Sequence, residues 1–168
     1  VTGLRVISGG QTGVDRGGLE AALKLGIAIG GFAPLGWRAE DGVIPMKFRR
    51  HMQMMGDANY RLRTERNVLL SDATLIYSGD CMASPGTRFT IDICKKEKKP
   101  WFDVVSEINI FQEEEDGYWH MAKMLESFSV LNVAGPRESG TPGIQEASRD
   151  RFLEIFRRIM VVRTEHDH

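Results

Sequence analysis

The segment Ser8-Gly9-Gly10-Gln11-Thr12-Gly13-Val14-Asp15-Arg16-Gly17-Gly18 is dense in glycine and follows an apolar run, Leu4 to Ser8. Apolar residues at helical spacing come after it. Glycines at a strand-to-helix turn let the backbone bend tightly and bring N–H groups close to an anion. The helix N-terminus adds partial positive charge. The segment therefore predicts a phosphate cradle, with Gly9, Gly10, Gln11, Thr12 and Gly13 holding the anion through backbone N–H and hydroxyl groups. It is not a Walker loop, because Val14-Asp15 rather than Lys-Ser/Thr follows Gly13, and the dinucleotide spacing G-x-G-x-x-G is absent. ATP hydrolysis and ordinary NAD binding lose support. Asp15 would repel a bare phosphate. It reads as an acceptor for a hydroxyl or amine, as a ligand for Mg²⁺ beside the phosphate, or as compensation of the helix dipole.

Two other stretches repeat this logic. Ser84-Pro85-Gly86-Thr87-Arg88 and Gly135-Pro136-Arg137-Glu138-Ser139-Gly140-Thr141-Pro142-Gly143 also follow strand-like runs. In a parallel sheet all three loops lie at the carboxyl edge, where ligands bind at the point of strand-order reversal. Arg38-Ala39-Glu40-Asp41-Gly42 and Arg61-Leu62-Arg63-Thr64-Glu65-Arg66-Asn67 carry mixed charges, suited to gripping phosphate or carboxylate or to surface ion pairs. The histidines are scattered, and no His-Glu-x-x-His or G-x-S-x-G pattern occurs. Cys81 and Cys94 lack metal-site spacing and read as reduced thiols.

The elements that would position these loops alternate β-rich and amphipathic runs, the pattern of a doubly wound, mostly parallel α/β sheet of about five strands. Strands are expected at Leu4–Ser8, Ile27–Phe32 (bent at its glycine pair), Ala73–Tyr77, Pro100–Val104 and Val130–Ala134. Helices are expected at Gly18–Leu25, Arg63–Ser71 with Thr64 as cap, and Arg88–Lys96 with Ile91 and Cys94 inward. A further helix follows the solvated acidic run Gln112–Asp116 and buries Tyr118, Met121, Ala122 and Leu125. A closing helix, Ile144–Val161, carries the stripe Phe152, Ile155, Phe156 and Ile159. Gly17 is expected inside the first helix, packing it on the sheet. Residues 33–61 read as a long functional loop, and 163–168 as a frayed tail.

At 168 residues with a net charge of −1, the chain predicts one domain, 1–168, with no broad basic face for a nucleic-acid polymer and no membrane anchor. No apolar run approaches the roughly 20 residues of a membrane span, and no secretory signal is visible, so a cytoplasmic protein is expected.

Five segments together resemble the molybdenum carrier family of the YpsA-like branch of the Rossmann-like SLOG/LOG superfamily. They are SGGQTGVD (8–15), RAEDGVIP (38–45), TERNVLLSDATLI (64–76), the Gly86-Thr87 turn and NVAGPRES (132–139). The resemblance spans nearly the whole chain. It implies a three-layer α/β/α fold, a site over the glycine loops and a nucleotide-like or pterin phosphate ligand. The reading it favours is binding and carriage of molybdenum cofactor, a pterin with a terminal phosphate and a dithiolene-held metal. Gly9 to Gly13 would take the phosphate, Gly86 and Thr87 would close the other side, Asp15 would contact a polar group or cation, and Arg38 would cover the anionic face. The LOG-type phosphoribohydrolases carry Pro-Gly-Gly-x-Gly-Thr-x-x-Glu. Ser84-Pro85-Gly86-Thr87-Arg88-Phe89-Thr90 lacks one of those glycines and the catalytic Glu, which counts against base–ribose hydrolysis. Pro85 also stands where the carrier family has a glycine. The alternative is a sensor or enzyme for a nucleotide derivative, with Asp15 or Glu65 as acid–base group. A scaffold with an unused pocket is a third class, and homo-oligomerisation is open.

Overall fold

The computed structural model describes residues 3–79 and 83–167, so Cys81 and His168 lie outside it. Along the chain the elements are β1 (Arg5–Ile7), α1 (Val14–Lys24), β2 (Ala28–Gly30), β3 (Phe32–Ala33), a 3₁₀ turn (Leu35–Trp37), β4 (Arg38–Ala39), β5 (Gly42–Val43), α2 (Met46–Arg49) and β6 (Gln53–Met54). Then come α3 (Tyr60–Leu70), β7 (Ala73–Ile76), α4 (Pro85–Lys96), β8 (Trp101–Asp103), α5 (Val104–Asn109), α6 (Glu114–Leu125), β9 (Val130–Ala134) and α7 (Ile144–His166).

Five strands form one parallel sheet in the order β2-β1-β9-β7-β8. Its interior strands are nearly continuous apolar runs, as a sheet covered on both faces requires. α1, α6 and α7 pack together over one large apolar cluster, while α3 and α4 pair over a second cluster of Val68, Ile93 and Cys94. The result is the expected three-layer α/β/α arrangement. The α7 stripe is core throughout, with Phe152 and Phe156 stacked 5.4 Å apart. Tyr118, Met121, Ala122 and Leu125 of α6 are buried behind its acidic first turn. Among the described residues no helix is long and apolar enough to cross a membrane.

Counted along the chain, the five sheet strands lie in the order 2-1-5-3-4. Starting the count at β9 turns this into 3-2-1-4-5, the order of a doubly wound nucleotide-binding sheet. The last strand thus occupies the place that the first strand holds in the ordinary winding. The switch point falls between β9 and β7.

Several boundaries differ from expectation for local reasons. α1 starts at Val14, because Gly13 at φ +82° turns the chain directly into the helix. Gly18, not Gly17, faces the sheet: a Cβ there would lie 2.4 Å from Val133 Cγ2. One at Gly17 would lie 2.2 Å from Ser148 Oγ of α7. The glycine pair does bend the chain. At Gly31, φ +119°, the strand leaves the main sheet and β3 pairs with β6 instead. α3 begins at Tyr60 with Asn59 as its cap, and the Thr64 hydroxyl donates to the Tyr60 carbonyl. α4 begins at Pro85 with Ser84 as cap, and Ile93 rather than Ile91 is buried. Residues 33–61 hold short elements anchored by the fully buried Ile44 and Phe48. The expected frayed tail is helical to His166, with Arg163 donating to the Phe128 carbonyl.

Candidate functional site

A cleft of about 640 Å³ opens over the carboxyl ends of β1, β7 and β9. Its walls are Gly9, Gln11 and Asp15 after β1, Ser84 to Thr87 with Phe89 and Thr90 on α4, Asn132 to Ala134 at the end of β9, and residues 135–137 and 139–141 after it. Tyr60, Arg61, Arg63, Thr64 and Asn67 of α3 complete it. All three glycine-bearing loops therefore meet at one place, as a parallel sheet demands. The volume lies within the usual range for small-molecule sites, roughly 300–1,000 Å³.

The charge of the cleft is uneven. Among the described residues Arg61, Arg63 and Arg137 line it against one carboxylate, Asp15. Asp15 is 7% exposed; its Oδ2 lies 3.4 Å from Arg63 Nη1 and accepts the Gln11 N–H at 3.2 Å. Burial pushes the Asp15 carboxyl above its ordinary pKa, and Arg63 pulls it back only in part. The Arg61 guanidinium lies over the Phe89 ring, 4.3 Å from its centroid, and both Arg63 and Arg137 lie 5.4 Å from the Tyr60 centroid.

The structure divides the sequence-predicted residues. Gly9, Gln11, Asp15, Gly86 and Thr87 line the cleft; Gly10, Thr12, Gly13 and Arg38 do not. The cradle of N–H groups is also otherwise engaged. Gly10 N–H donates to Ser8 Oγ, Gln11 N–H to Asp15, Thr12 N–H to Gln11 Oε1, Gly13 N–H to Gln145 Oε1 and Val14 N–H to the Pro136 carbonyl. In this structure the N–H groups of Gly10 to Gly13 are therefore spent on protein acceptors. The loop folds upon itself because Asp15, Gln11 and Gln145 supply the acceptors. Gly10, at φ +74°, faces Ile44 and Met52 rather than a ligand. Gly86 stands in open space in the first turn of α4, and the buried Thr87 hydroxyl pairs with Ser84 Oγ at 2.9 Å.

Arg38 is exposed on the β4–β5 hairpin, and it is the acids beside it that reach the glycine loop. Glu40 accepts from the Thr12 hydroxyl, from Ser139 N–H at 3.1 Å and from Ser139 Oγ at 2.5 Å, while its own N–H donates to Gln11 Oε1. Asp41 takes both arms of Arg16, whose Nε bonds the Gly10 carbonyl. The hairpin is a strap tying the first loop to the third. Its hydrogen bonds hold both carboxyls below their ordinary pKa, chiefly through Ser139 for Glu40 and Arg16 for Asp41. Glu138 similarly caps α7, accepting from Gly143 and Gln145 N–H.

Glu65 does not line the cleft. Asn67 lines it but also clamps Phe32, bonding both its N–H and its carbonyl. Sequence reasoning missed Tyr60 and Phe89, ordinary aromatics whose role appears only once α3 and α4 face each other. It noted the segments holding Arg61, Arg63 and Arg137 without selecting those side chains.

Fold and cleft define a Rossmann-like α/β protein whose sheet is wound from a displaced starting strand and whose crevice is lined by Arg61, Arg63 and Arg137. The chain belongs to the circularly permutated YpsA SLOG family, which it matches over residues 6–156. The rotated strand count described above is consistent with that description. The chain is also similar to a crystal structure of a "putative molybdenum carrier protein" from Syntrophus aciditrophicus SB. The two share 36% sequence identity at a TM-score of 0.72, over 90% of this chain and 93% of that one. No protein of curated function matches the chain.

Proposed function

We propose that this protein binds a phosphate-bearing small molecule in the cleft, and that the molecule is molybdenum cofactor, which the protein carries. The observation that supports this most is the charge of the cleft: among the described residues three arginines line it against one carboxylate, in a chain whose net charge is −1. Gly9 and the positive end of α4 at Gly86 and Thr87 suit the phosphate. Phe89 and Tyr60 hold the Arg61 and Arg137 guanidiniums beside the cleft, where both add to its positive charge. The buried Asp15 suits a ring N–H or amino donor. Its recorded contacts, to Gln11 and Arg63, both fall on Oδ2.

Among the described residues no cluster of His, Cys, Asp and Glu comes together to hold a metal ion. The molybdenum would then travel on the cofactor's own dithiolene sulfurs. Mg²⁺ at Asp15 finds no support, since the Arg63 guanidinium already stands beside that carboxylate. The similarity to the Syntrophus protein supports the carrier reading. The test is to denature freshly purified protein and analyse what it releases by mass spectrometry and metal analysis. A pterin phosphate with matching molybdenum is expected; a nucleotide without molybdenum would sink the reading.

A second reading, a sensor or enzyme for a nucleotide derivative, is favoured by one feature. Asp15 is a buried carboxyl with a raised pKa inside a cleft, the kind of group that serves acid–base chemistry. Release of base from AMP, lost in Asp15→Asn, would decide for it.

A further inference from the structure

Resting on the anion-binding reading of the cleft, we infer that its ligand carries two separate anionic groups, one received at Arg61 and the other at Arg137. The three guanidiniums are not equivalent. Arg63 has Asp15 as counter-charge at 3.4 Å. Neither Arg61 nor Arg137 lies within ion-pairing distance of a carboxylate among the described residues, and each is placed by an aromatic ring. A guanidinium carries its donors in its own plane. Resting over the Phe89 or Tyr60 ring leaves those donors without a carboxylate acceptor and restrains a side chain that would otherwise lose rotamer entropy on binding. Both are thus ordered donor forks awaiting acceptors.

They stand on different flanks. Arg61 leans from α3 onto α4, whereas Arg137 leans from the loop after β9 onto Tyr60 of α3. Tyr60 and Arg61 are consecutive in the helix, and consecutive helical side chains do not face one another. The two cations therefore address different parts of the same cleft. The surroundings add more donors: Gln11 Nε2 and Arg63 Nε, both on lining residues, are buried without a hydrogen-bond partner. A ligand with one anionic end leaves one fork uncompensated. A ligand with an anionic group at each end satisfies both. A pterin phosphate whose dithiolene end holds an oxyanionic metal has that form, and a nucleoside monophosphate does not.

The experiment titrates the protein by calorimetry with linear alkanediol bisphosphates of increasing length and with the matching monophosphates. Wild type, Arg61→Ala and Arg137→Ala are compared. Thermal melts show that the variants are folded, as expected for exposed side chains. At least one bisphosphate should bind about tenfold or more tighter than its monophosphate, the gain that linking two subsites supplies. Either substitution should bring that bisphosphate down to the monophosphate level. The inference is overturned if every bisphosphate binds like its monophosphate, or if the gain survives in either variant. A monophosphate weakened alike by both substitutions would place both guanidiniums on one anion and overturn it too. If no phosphate compound binds wild type at all, the underlying anion-binding reading fails, and this inference with it.

Discussion

Replacing Gly13 by alanine should disrupt the seam between two loops of the cleft, and its cost can be separated into parts. Gly13 sits at φ +82° and ψ −133°, outside the left-handed helical well, where an L side chain costs at least about 1–2 kcal/mol. A Cβ there would also lie 2.2 Å from the Pro136 carbonyl oxygen and 2.8 Å from Glu138 N. Those are backbone atoms, so no rotamer change relieves the overlap; the loop after β9 must withdraw by more than 1 Å to reach ordinary contact at 3.4 Å. Withdrawal breaks Val14 N–H to Pro136 (3.2 Å) and Glu138 N–H to Thr12 Oγ1 (3.3 Å). At about 1 kcal/mol each, the two bonds bring the loss to at least about 3–4 kcal/mol. Gly26 provides the control. It has φ +70° and nothing within 4 Å of a built Cβ, so Gly26→Ala carries the strain alone, about 1–2 kcal/mol. For a domain of this size each kcal/mol shifts Tm by roughly 2–4 °C. Calorimetry should find Gly13→Ala lower by at least about 6–16 °C and Gly26→Ala by about 2–8 °C. Equal losses would refute the reasoning, since they would mean that the loops tolerate the methyl without parting.

Further outcomes follow from the same contacts. Asp15→Ala should cost about 3–5 kcal/mol in urea unfolding, because it leaves the Arg63 guanidinium buried without a counter-charge. A loss under about 1 kcal/mol would return Asp15 to the role of a surface helix-start acid. Gly10→Val should destabilise without primarily blocking ligand, since its Cβ would lie 2.8 Å from Ile44 Cδ1 and not in the cleft; unchanged melting with abolished phosphate binding would contradict this. The strap carboxyls have depressed folded pKa values against ordinary values of 4.5 for Glu40 and 3.8 for Asp41. Their stabilisation is therefore complete above those ordinary values and lost as pH falls below them through the folded pKa. A Glu40→Gln, Asp41→Asn double variant should lose less stability than wild type between about pH 5 and pH 3; parallel pH–Tm curves would show that the strap carries no such linkage.

The strands and the outer helices were legible in the sequence because their signals are local. Ala73–Ile76 and Val130–Ala134 are apolar runs, and Phe152, Ile155, Phe156 and Ile159 repeat at helical spacing. The convergence of the three glycine-bearing loops followed from the parallel sheet alone. What was not legible depends on partners far away in the chain. Nothing near Gly10 or Gly13 announces that Asp15, Gln145 and Pro136 will occupy the loop's N–H groups. In RAED, charge type pointed to Arg38, but the hairpin turns its acids towards Arg16, Thr12 and Ser139. Gly17 and Gly18 are indistinguishable by type, and a rotation of about 100° between helical neighbours sends one to α7 and the other to the sheet.

The position of β9 has a consequence for how the protein comes into being. Arg5 finds its register partner in Val130, and Thr74 finds Asn132. During synthesis β1 and β2 emerge early and β7 and β8 later, yet each pair keeps an open edge until β9 fills the gap between them. An open strand edge is a template for pairing with other chains. The nascent chain therefore passes through a stage with two half-sheets and two exposed edges, and its carboxyl-edge loops have no common cleft until the centre closes. Closing it pairs residues far apart in sequence, a slow step that favours aggregation when many chains wait together. The winding that puts β9 in the middle makes assembly of the cleft the final event of folding, after translation has passed β9.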